Sequence, residues 1–188
     1  MGFFDNNDNV QEYIKMAEGY DGSDLIRVLR KYLPEGSTLL ELGMGPGKDL
    51  DILKESFVVT GSDNSSVFVD LYQKKNPAVD VMVLDAITID TEKKFDCIYS
   101  NKVLVHLERN ELIQSLQRQK EVLKKNGLLF HSFWYGDKRE EHHGLLFNYY
   151  TENGLKEIIG IEFDIIEMEK YSEIEEGDSK YVILRKKN

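Results

Sequence analysis

Three glycines alternate with other residues at Gly43, Gly45 and Gly47, directly after the leucine-rich run 39–42. The run predicts a buried strand, and residues 48–55, with leucine and isoleucine at helical spacing, predict a helix. A strand, a glycine turn and a helix build nucleotide sites at the carboxyl ends of strands in open α/β sheets. Glycine suits such a turn because it adopts positive φ and has no Cβ to keep a ligand off the backbone.

The spacing and the neighbouring charges argue against NAD. A dinucleotide fingerprint is G-x-G-x-x-G, whereas this chain has G-x-G-x-G and carries Lys48 at the position of the third glycine. Glu41, two residues before the first glycine, is a poor neighbour for a pyrophosphate. It suits a ligand that carries positive charge or offers ammonium and hydroxyl donors. S-adenosylmethionine, with its sulfonium, α-ammonium and ribose, is such a ligand.

The pattern Glu41-x-Gly43-x-Gly45-x-Gly47 resembles the first motif of the class I S-adenosylmethionine-dependent methyltransferases. The resemblance extends from about residue 24 to the C-terminus. It implies a Rossmann-like α/β fold: a seven-stranded mixed sheet in the order 3-2-1-4-5-7-6, with strand 7 antiparallel and helices on both faces. It also implies S-adenosylmethionine as the cofactor, methyltransferase activity, and a cofactor site that includes Glu41 and the three glycines.

Acids also follow the second and third predicted strands. Asp63 could accept hydrogen bonds from both ribose hydroxyls, although NAD-binding folds place an acid there too, and a helix cap is the alternative role. Asn64 follows it and joins the predicted cofactor site, although its side chain could also cap the next helix. In the family that the chain resembles, an acid after the third strand accepts from the adenine amino group and the next backbone N–H donates to the ring. The resemblance gives these roles to Asp85 and Ala86.

Residues 100–107 resemble the family's segment after the fourth strand, where a backbone carbonyl near the strand end meets the cofactor's ammonium. The resemblance places Ser100 there. A His-Leu pair six residues later recurs in the small-molecule branch of the family, and here it is His106-Leu107. His106 and His131 are the candidate catalytic bases, needed only if the acceptor arrives protonated. The alternative for His106 is a packing histidine that bonds to the backbone.

Seven strands and the helices between them must position these residues. Apolar periodicity and glycine, proline and capping signals predict strands at 39–42, 57–62, 79–84, 95–100, 128–134, 163–171 and 179–185. Helices are predicted at 10–18, at 48–55, at 67–75, after Ser23, from Asn110 to 125, and after Thr151. Residues 135–150 are predicted to be irregular. We expect a single domain over 1–188, with 1–36 as a helical cap segment and 37–188 as the sheet core.

Composition narrows the class of protein. A chain of 188 residues predicts one domain, and its net charge of −10 argues against nucleic acid, which is bound by Lys and Arg. The single cysteine, Cys97, excludes an internal disulfide and is predicted to be a buried apolar filler. No secretory signal and no apolar stretch of membrane-spanning length is evident, so we expect a cytoplasmic protein without a membrane partner.

The histidines and tyrosines of residues 135–150 raise two questions: whether they hold a metal ion, and whether they contact the methyl acceptor. Adjacent residues on an extended chain point to opposite faces, so the pair His142-His143 beside two glutamates predicts no metal site. We expect the segment to form a mobile cover over a small, partly aromatic methyl acceptor, and the alternative is that its aromatics complete the core. Two other functions stay open: a non-catalytic S-adenosylmethionine-binding protein, and a methyltransferase that acts on a protein or RNA.

Overall fold

The computed structural model describes residues 7–16, 19, 21–142, 144–160 and 162–187. Helices and strands alternate along this part of the chain. The helices are α1 Asn7–Met16, α2 Ser23–Leu29, α3 Lys48–Leu53, α4 Ser66–Lys75, α5 Arg109–Val122 and α6 Glu152–Ile159, with a 3-10 turn at Leu104–His106. The strands are β1 Thr38–Leu42, β2 Val58–Asp63, β3 Asp80–Val83, β4 Phe95–Asn101, β5 Leu123–Tyr135, β6 Arg139–His142, β7 Leu145–Tyr150, β8 Phe163–Tyr171 and β9 Ser179–Lys186. None of the helices in the described residues is long and apolar enough to cross a membrane.

The sheet confirms the predicted strand order. Strands β3, β2, β1, β4 and β5 are adjacent in that order and all parallel. On the far side of β5 lies β9, antiparallel to it along residues 128–134, and β8 pairs antiparallel with β9 at the edge. Strands β8 and β9 are therefore the predicted sixth and seventh strands, in the predicted positions and orientations.

The prediction that residues 135–150 are irregular was wrong. They contain the antiparallel hairpin β6–β7, paired from Arg139 with Asn148 to His142 with Leu145. The end of β7 also pairs parallel with β5, through Tyr149 and Tyr150. Five of the six β7 residues are half-buried, so the strand lacks the alternation of apolar and polar residues that marks a strand in a sequence.

Ser23 and Asn110 do not cap the helices that were predicted to start at them, whereas Thr151 caps its helix. Helix α5 begins after Glu108, whose backbone N–H donates to the Glu111 carboxylate (2.8 Å) in a capping box, and Asn110 lies inside the helix. The same helix ends at residue 122, three residues earlier than predicted. Ser23 is the first residue of α2, after Gly22. Thr151 caps α6 as predicted, since its hydroxyl accepts from the backbone N–H of Gly154 (3.1 Å).

Helices cover both faces of the sheet, as predicted. Successive strand residues point to opposite faces. Leu40 and Ile98 belong to the core cluster that contains residues of α5 and α6. Leu39 and Cys97 belong to the cluster that contains residues of α2 and α3, and Cys97 is fully buried as expected. The sheet is therefore the middle layer of three.

The protein's own packing requires glycine at two positions of the turn after β1. Gly43 and Gly47 have φ values of +67° and +85°, which side chains rarely adopt. A Cβ at Gly43 would lie 2.5 Å from a methyl group of Val103, and one at Gly47 would overlap the ring of Tyr72. The turn therefore stays tight because β-carbons are absent where α4 and the segment after β4 approach it.

We predict that Gly47→Ala lowers the free energy of unfolding by about 2–4 kcal/mol, because left-handed strain and displacement of Tyr72 add. Gly36→Ala is the matched control: Gly36 also has positive φ (+77°), but a Cβ there meets nothing within 4 Å. The control should lose only about 1 kcal/mol. Urea unfolding of the two variants measures the difference, and equal losses would contradict the packing role of Gly47.

Candidate active site

The carboxyl end of β1 carries a buried, incompletely bonded carboxylate. Glu41 is 3% exposed, and within the described part of the chain its Oε2 has no hydrogen-bond partner. Burial, and then the negative charges of Asp49, Asp63 and Asp51, hold the pKa of Glu41 well above its ordinary value. Leaving a buried acceptor unbonded costs roughly 1–3 kcal/mol. A ligand with an ammonium or hydroxyl donor would remove this cost, so the site fits a donor-bearing cation such as S-adenosylmethionine.

Asp63 ties the end of β2 to the glycine turn. Its Oδ2 accepts from the backbone N–H of Gly45 (2.9 Å) and its Oδ1 from that of Ser65 (2.9 Å). Burial raises the pKa of Asp63, and these backbone N–H groups act in the opposite direction. The cap of α4 is Ser65, not Asp63. Each carboxylate oxygen can accept a second hydrogen bond, so Asp63 can hold the turn and still receive ribose hydroxyls.

The residues after β2 and β3 lie nearer the surface. Asn64 is exposed, and its backbone N–H lowers the pKa of Asp63. Asp85 is exposed as well, and its Oδ1 accepts from the backbone N–H groups of Ile87 (2.8 Å) and Thr88 (2.9 Å), so it shapes its own turn. The carbonyl of Ala86 accepts from the hydroxyl of Ser115 (2.6 Å) on α5. The Asp85 turn is therefore attached to α5.

His131, one of the two predicted catalytic bases, has both ring nitrogens within hydrogen-bond distance of buried side chains. The ring is fully buried, with Nδ1 2.8 Å from the hydroxyl of Ser100 and Nε2 2.7 Å from the amide oxygen of Gln119. Burial lowers the pKa of His131 to about 3. A neutral imidazole with both nitrogens bonded and no exposed edge cannot take a proton from an acceptor. Ser100 is buried too, and its side chain is turned toward this histidine.

His106 has one ring nitrogen that makes no hydrogen bond to any residue in the described part of the chain. Its Nδ1 lies 2.6 Å from the carbonyl of Leu146 in β7, and a carbonyl only accepts, so Nδ1 carries the proton and Nε2 the lone pair. Burial lowers the pKa of His106, which keeps the ring neutral near pH 7. The edge-to-face ring of Phe147 fixes its orientation, with centroids 4.8 Å apart. This geometry is compatible with both roles considered for His106, a catalytic base and a packing histidine that bonds to the backbone.

Sequence reasoning missed Asp49 in the first turn of α3. Its carboxylate accepts from the backbone N–H of Gly22 (2.6 Å), the hydroxyl of Tyr99 (2.8 Å) and the amide of Asn101 (3.1 Å). It therefore joins the chain before α2 to the end of β4, beside the glycine turn. The one available signal was an acid in the first turn of a helix, where the helix dipole favours negative charge.

Lys102 was also missed. It follows β4 with a left-handed φ of +57°, and its amine bonds to Glu173 (2.6 Å) and Ser179 (2.7 Å). The amine also lies 3.6 Å from the ring centroid of Trp134. Burial lowers the pKa of Lys102, against the opposing effect of Glu173. The residue fastens the loop between β8 and β9 to the end of β4, and no motif announces it.

Across the described ranges, no three His, Cys, Asp or Glu residues are close enough together to hold a metal ion. The Nε2 of His142 lies 3.6 Å from the carboxylate of Glu140. His143 lies outside the described residues.

Comparison with known proteins supports the same family. A family model described as a methyltransferase domain matches residues 39–127, which include the glycine turn, β1 from Leu39 onward and all of β2, β3 and β4. The ribosomal protein L11 methyltransferase of Thermosipho melanesiensis is 31% identical over 109 residues, which are 54% of this chain and 40% of that protein. The chain spans less than half the length of the curated relatives that it matches.

Solved structures share the fold over nearly the whole chain. An S-adenosylmethionine-dependent methyltransferase from Clostridium acetobutylicum superposes with a TM-score of 0.78 at 12% identity, covering 97% of this chain and 100% of that one. A 1,6-didemethyltoxoflavin-N1-methyltransferase from Burkholderia thailandensis gives 0.75 at 21% identity, covering 95% and 88%. At such identities the likeness establishes the fold alone. Together with the family-model match to residues 39–127 and the strand order, it shows that the chain has the fold of the class I S-adenosylmethionine-dependent methyltransferases.

Proposed function

We propose that the protein transfers a methyl group from S-adenosylmethionine to a small-molecule acceptor. The observation that carries the proposal is the buried Glu41 carboxylate with an unbonded oxygen, beside the glycine turn and among other acids. This electrostatic environment rejects phosphate and favours an ammonium. A phosphate-binding turn of an α/β sheet would instead offer backbone N–H groups and the positive end of a helix.

The cofactor supplies an electrophilic methyl group on a sulfonium, so the chain's own work is binding and alignment. Glu41 would accept from the cofactor's ammonium, and Asp63 from the ribose hydroxyls. Asp85 and the backbone N–H of Ala86 would receive the adenine edge, and the Ser100 carbonyl would share the ammonium. The glycine turn, with Gly43, Gly45 and Gly47, would let the cofactor approach the backbone.

The acceptor would lie near His106 and the hairpin β6–β7. The hairpin is docked on the 3-10 turn: the amide of Asn148 donates to the carbonyl of Leu107 (2.7 Å), and Leu146 orients His106. Once a protonated acceptor is bound, Nε2 of His106 is the group that can take its proton. The short hairpin adds little surface to grip a folded partner, and the net charge of −10 opposes nucleic acid.

Two alternatives have their own discriminating results. A non-catalytic binding protein would retain the cofactor and never form S-adenosylhomocysteine. A macromolecular methyltransferase, the class to which the Thermosipho relative's name belongs, would label a protein extract or RNA. The toxoflavin methyltransferase, by its name, acts on a small molecule, and the small acceptor proposed here belongs to that class.

We predict S-adenosylhomocysteine formation when the protein receives S-adenosylmethionine and a library of small amines, phenols and heterocycles. Coupled detection of S-adenosylhomocysteine measures turnover, and reactions without acceptor set the background. Parallel reactions contain bulk RNA or a protein extract. Turnover that depends on a macromolecule alone would overturn the small-molecule acceptor, and binding without any turnover would favour the non-catalytic alternative.

We predict that Glu41→Gln weakens S-adenosylhomocysteine binding by roughly 1.5–3 kcal/mol, the range for hydrogen bonds to charged groups. The exposed Glu55→Gln is the control, because it removes the same charge from the surface. Calorimetry at pH 7 measures both affinities. Unchanged affinity in Glu41→Gln would show that Glu41 does not face the ligand.

The same variant should be more stable than the wild type without ligand. The folded pKa of Glu41 is raised, so its unfavourable contribution is absent at acid pH and grows as pH rises above the ordinary glutamate pKa. The stability gain of Glu41→Gln should therefore increase between pH 4 and pH 7 in thermal unfolding. A gain that is independent of pH, or a loss, would contradict the buried charge.

We predict that Asp63→Asn weakens S-adenosylhomocysteine more than Asp85→Asn. Asp63 would hold two ribose hydroxyls by charge-assisted bonds, whereas exposed Asp85 would hold one amine and shares adenine with backbone groups. Asparagine keeps an acceptor for the turn that Asp63 supports. Thermal unfolding checks that both variants are folded, and equal, negligible losses in affinity would show that neither strand end meets the ligand.

A further inference from the structure

Four buried side chains form an unbroken chain of hydrogen bonds through the core between the sheet and α5. Ser115 donates to the carbonyl of Ala86 (2.6 Å), and the amide nitrogen of Gln119 donates to Ser115 (3.0 Å). The amide oxygen of Gln119 lies 2.7 Å from Nε2 of His131, whose Nδ1 lies 2.8 Å from the hydroxyl of Ser100. All four side chains belong to residues with 0% exposure.

The carbonyl at one end fixes every proton in the chain. A carbonyl only accepts, so the proton of Ser115 points to Ala86, and the Ser115 oxygen must accept from Gln119. The amide oxygen of Gln119 is then left to accept from Nε2–H of His131. Nδ1 of His131 consequently accepts from Ser100. The imidazole is therefore held as one neutral tautomer, with its proton on Nε2. No further group is needed to complete this chain of hydrogen bonds.

The chain joins two strand ends that the sheet leaves apart. Ala86 follows β3 and Ser100 lies in β4, and both β2 and β1 lie between those strands. No ladder hydrogen bond links β3 with β4, whereas α5 lies across both through Ser115 and Gln119. A second contact reinforces the attachment, since Arg118 of α5 donates to the carbonyls of Thr88 and Ile89 (3.1 Å each).

Stability alone does not account for these polar residues. Leu112, Leu116 and Leu129 pack in the same core cluster, and replacing both partners of a buried hydrogen bond by apolar groups of the same shape can be nearly neutral or stabilising. A hydrogen-bond chain instead sets distances within a few tenths of an ångström. The advantage of such a chain is the fixed distance between its two ends, on which a ligand that contacts both ends would depend.

We propose that Gln119 and His131 are positioning residues, which hold the Ala86 turn and the Ser100 strand end at the separation that S-adenosylmethionine spans. The inference rests on the proposed function, in which adenine meets Ala86 and the ammonium meets Ser100. A ligand that reaches both ends depends on this separation, whereas adenosine reaches only the Ala86 end.

Gln119→Leu tests the proposal, because it cuts the chain with a side chain of similar size. Gln117→Leu is the matched control, the same change at an exposed position of α5. Calorimetry with S-adenosylhomocysteine and with adenosine measures four affinities. We expect Gln119→Leu to weaken S-adenosylhomocysteine about tenfold and adenosine by less than about threefold, within the range of coupled neighbours. The control should change neither.

Imidazole ¹⁵N NMR adds a measurement whose result would not change on ligand binding if Gln119 and His131 had only a structural role. The wild type should show His131 with its proton on Nε2, and S-adenosylhomocysteine should shift that resonance, because the ligand tightens the end of the chain. If Gln119→Leu does not fold, Ser115→Ala, which frees the Ala86 carbonyl, takes its place in every measurement.

The outcomes separate the two levels of inference. A wild type that does not bind S-adenosylhomocysteine overturns the proposed function, and the positioning role with it. A wild type that binds, with Gln119→Leu binding equally well, overturns the positioning role alone. Equal weakening of adenosine and S-adenosylhomocysteine also overturns it, because the effect would then be confined to the Ala86 turn.

Discussion

The structure depends on three acidic side chains that are held in a buried place. Glu41, Asp49 and Asp63 converge where β1 and β2 end, and each is less than a tenth exposed. Asp49 and Asp63 are satisfied by N–H and O–H donors from the turn, from β4 and from the segment before α2. Glu41 is not fully satisfied. The free protein therefore stores an unfavourable interaction that a cationic ligand would relieve, so that part of the stability would be exchanged for affinity.

Such a cluster is possible only because the backbone around it is tight. Parallel strands bring the ends of β1, β2 and β4 to one edge, and left-handed glycines let the turn fold back beneath α4. The turn then presents the N–H of Gly45 to Asp63, and the first turn of α3 presents Asp49 to three donors. The hydrogen bonds of Asp49 and Asp63 thereby help to fix the position of Glu41, which is not fully bonded.

The sequence predicted the local features and missed those that depend on which side chains meet. Apolar runs located β1 to β5, β8 and β9, because each is a short-range pattern. The order of these strands came from the family resemblance carried by the glycine spacing. The hairpin β6–β7 was missed since its residues are half-buried without alternation. Glu108 was missed as a cap because glutamate is rarely one. The bonds of Asp49, Lys102 and His131 join residues 12 to 77 positions apart, which no local pattern specifies.

Buried polar groups are treated in two opposite ways in this core. The chain from Ala86 to Ser100 is complete without any ligand, with every polar side-chain atom in at least one hydrogen bond and a neutral histidine in the middle. Within the described residues the Oε2 atom of Glu41 has no hydrogen-bond partner, and burial, together with the neighbouring aspartates, raises the pKa of Glu41. Complete networks resist change, because breaking one bond leaves a buried group unbonded. A buried acceptor that lacks a hydrogen bond is where a donor on a ligand gains the most binding free energy. The fold thus pairs a rigid frame, set by neutral hydrogen bonds across α5, with a buried Glu41 carboxylate that is only partly bonded. The cofactor proposed here would add a donor to Glu41 and none to the frame.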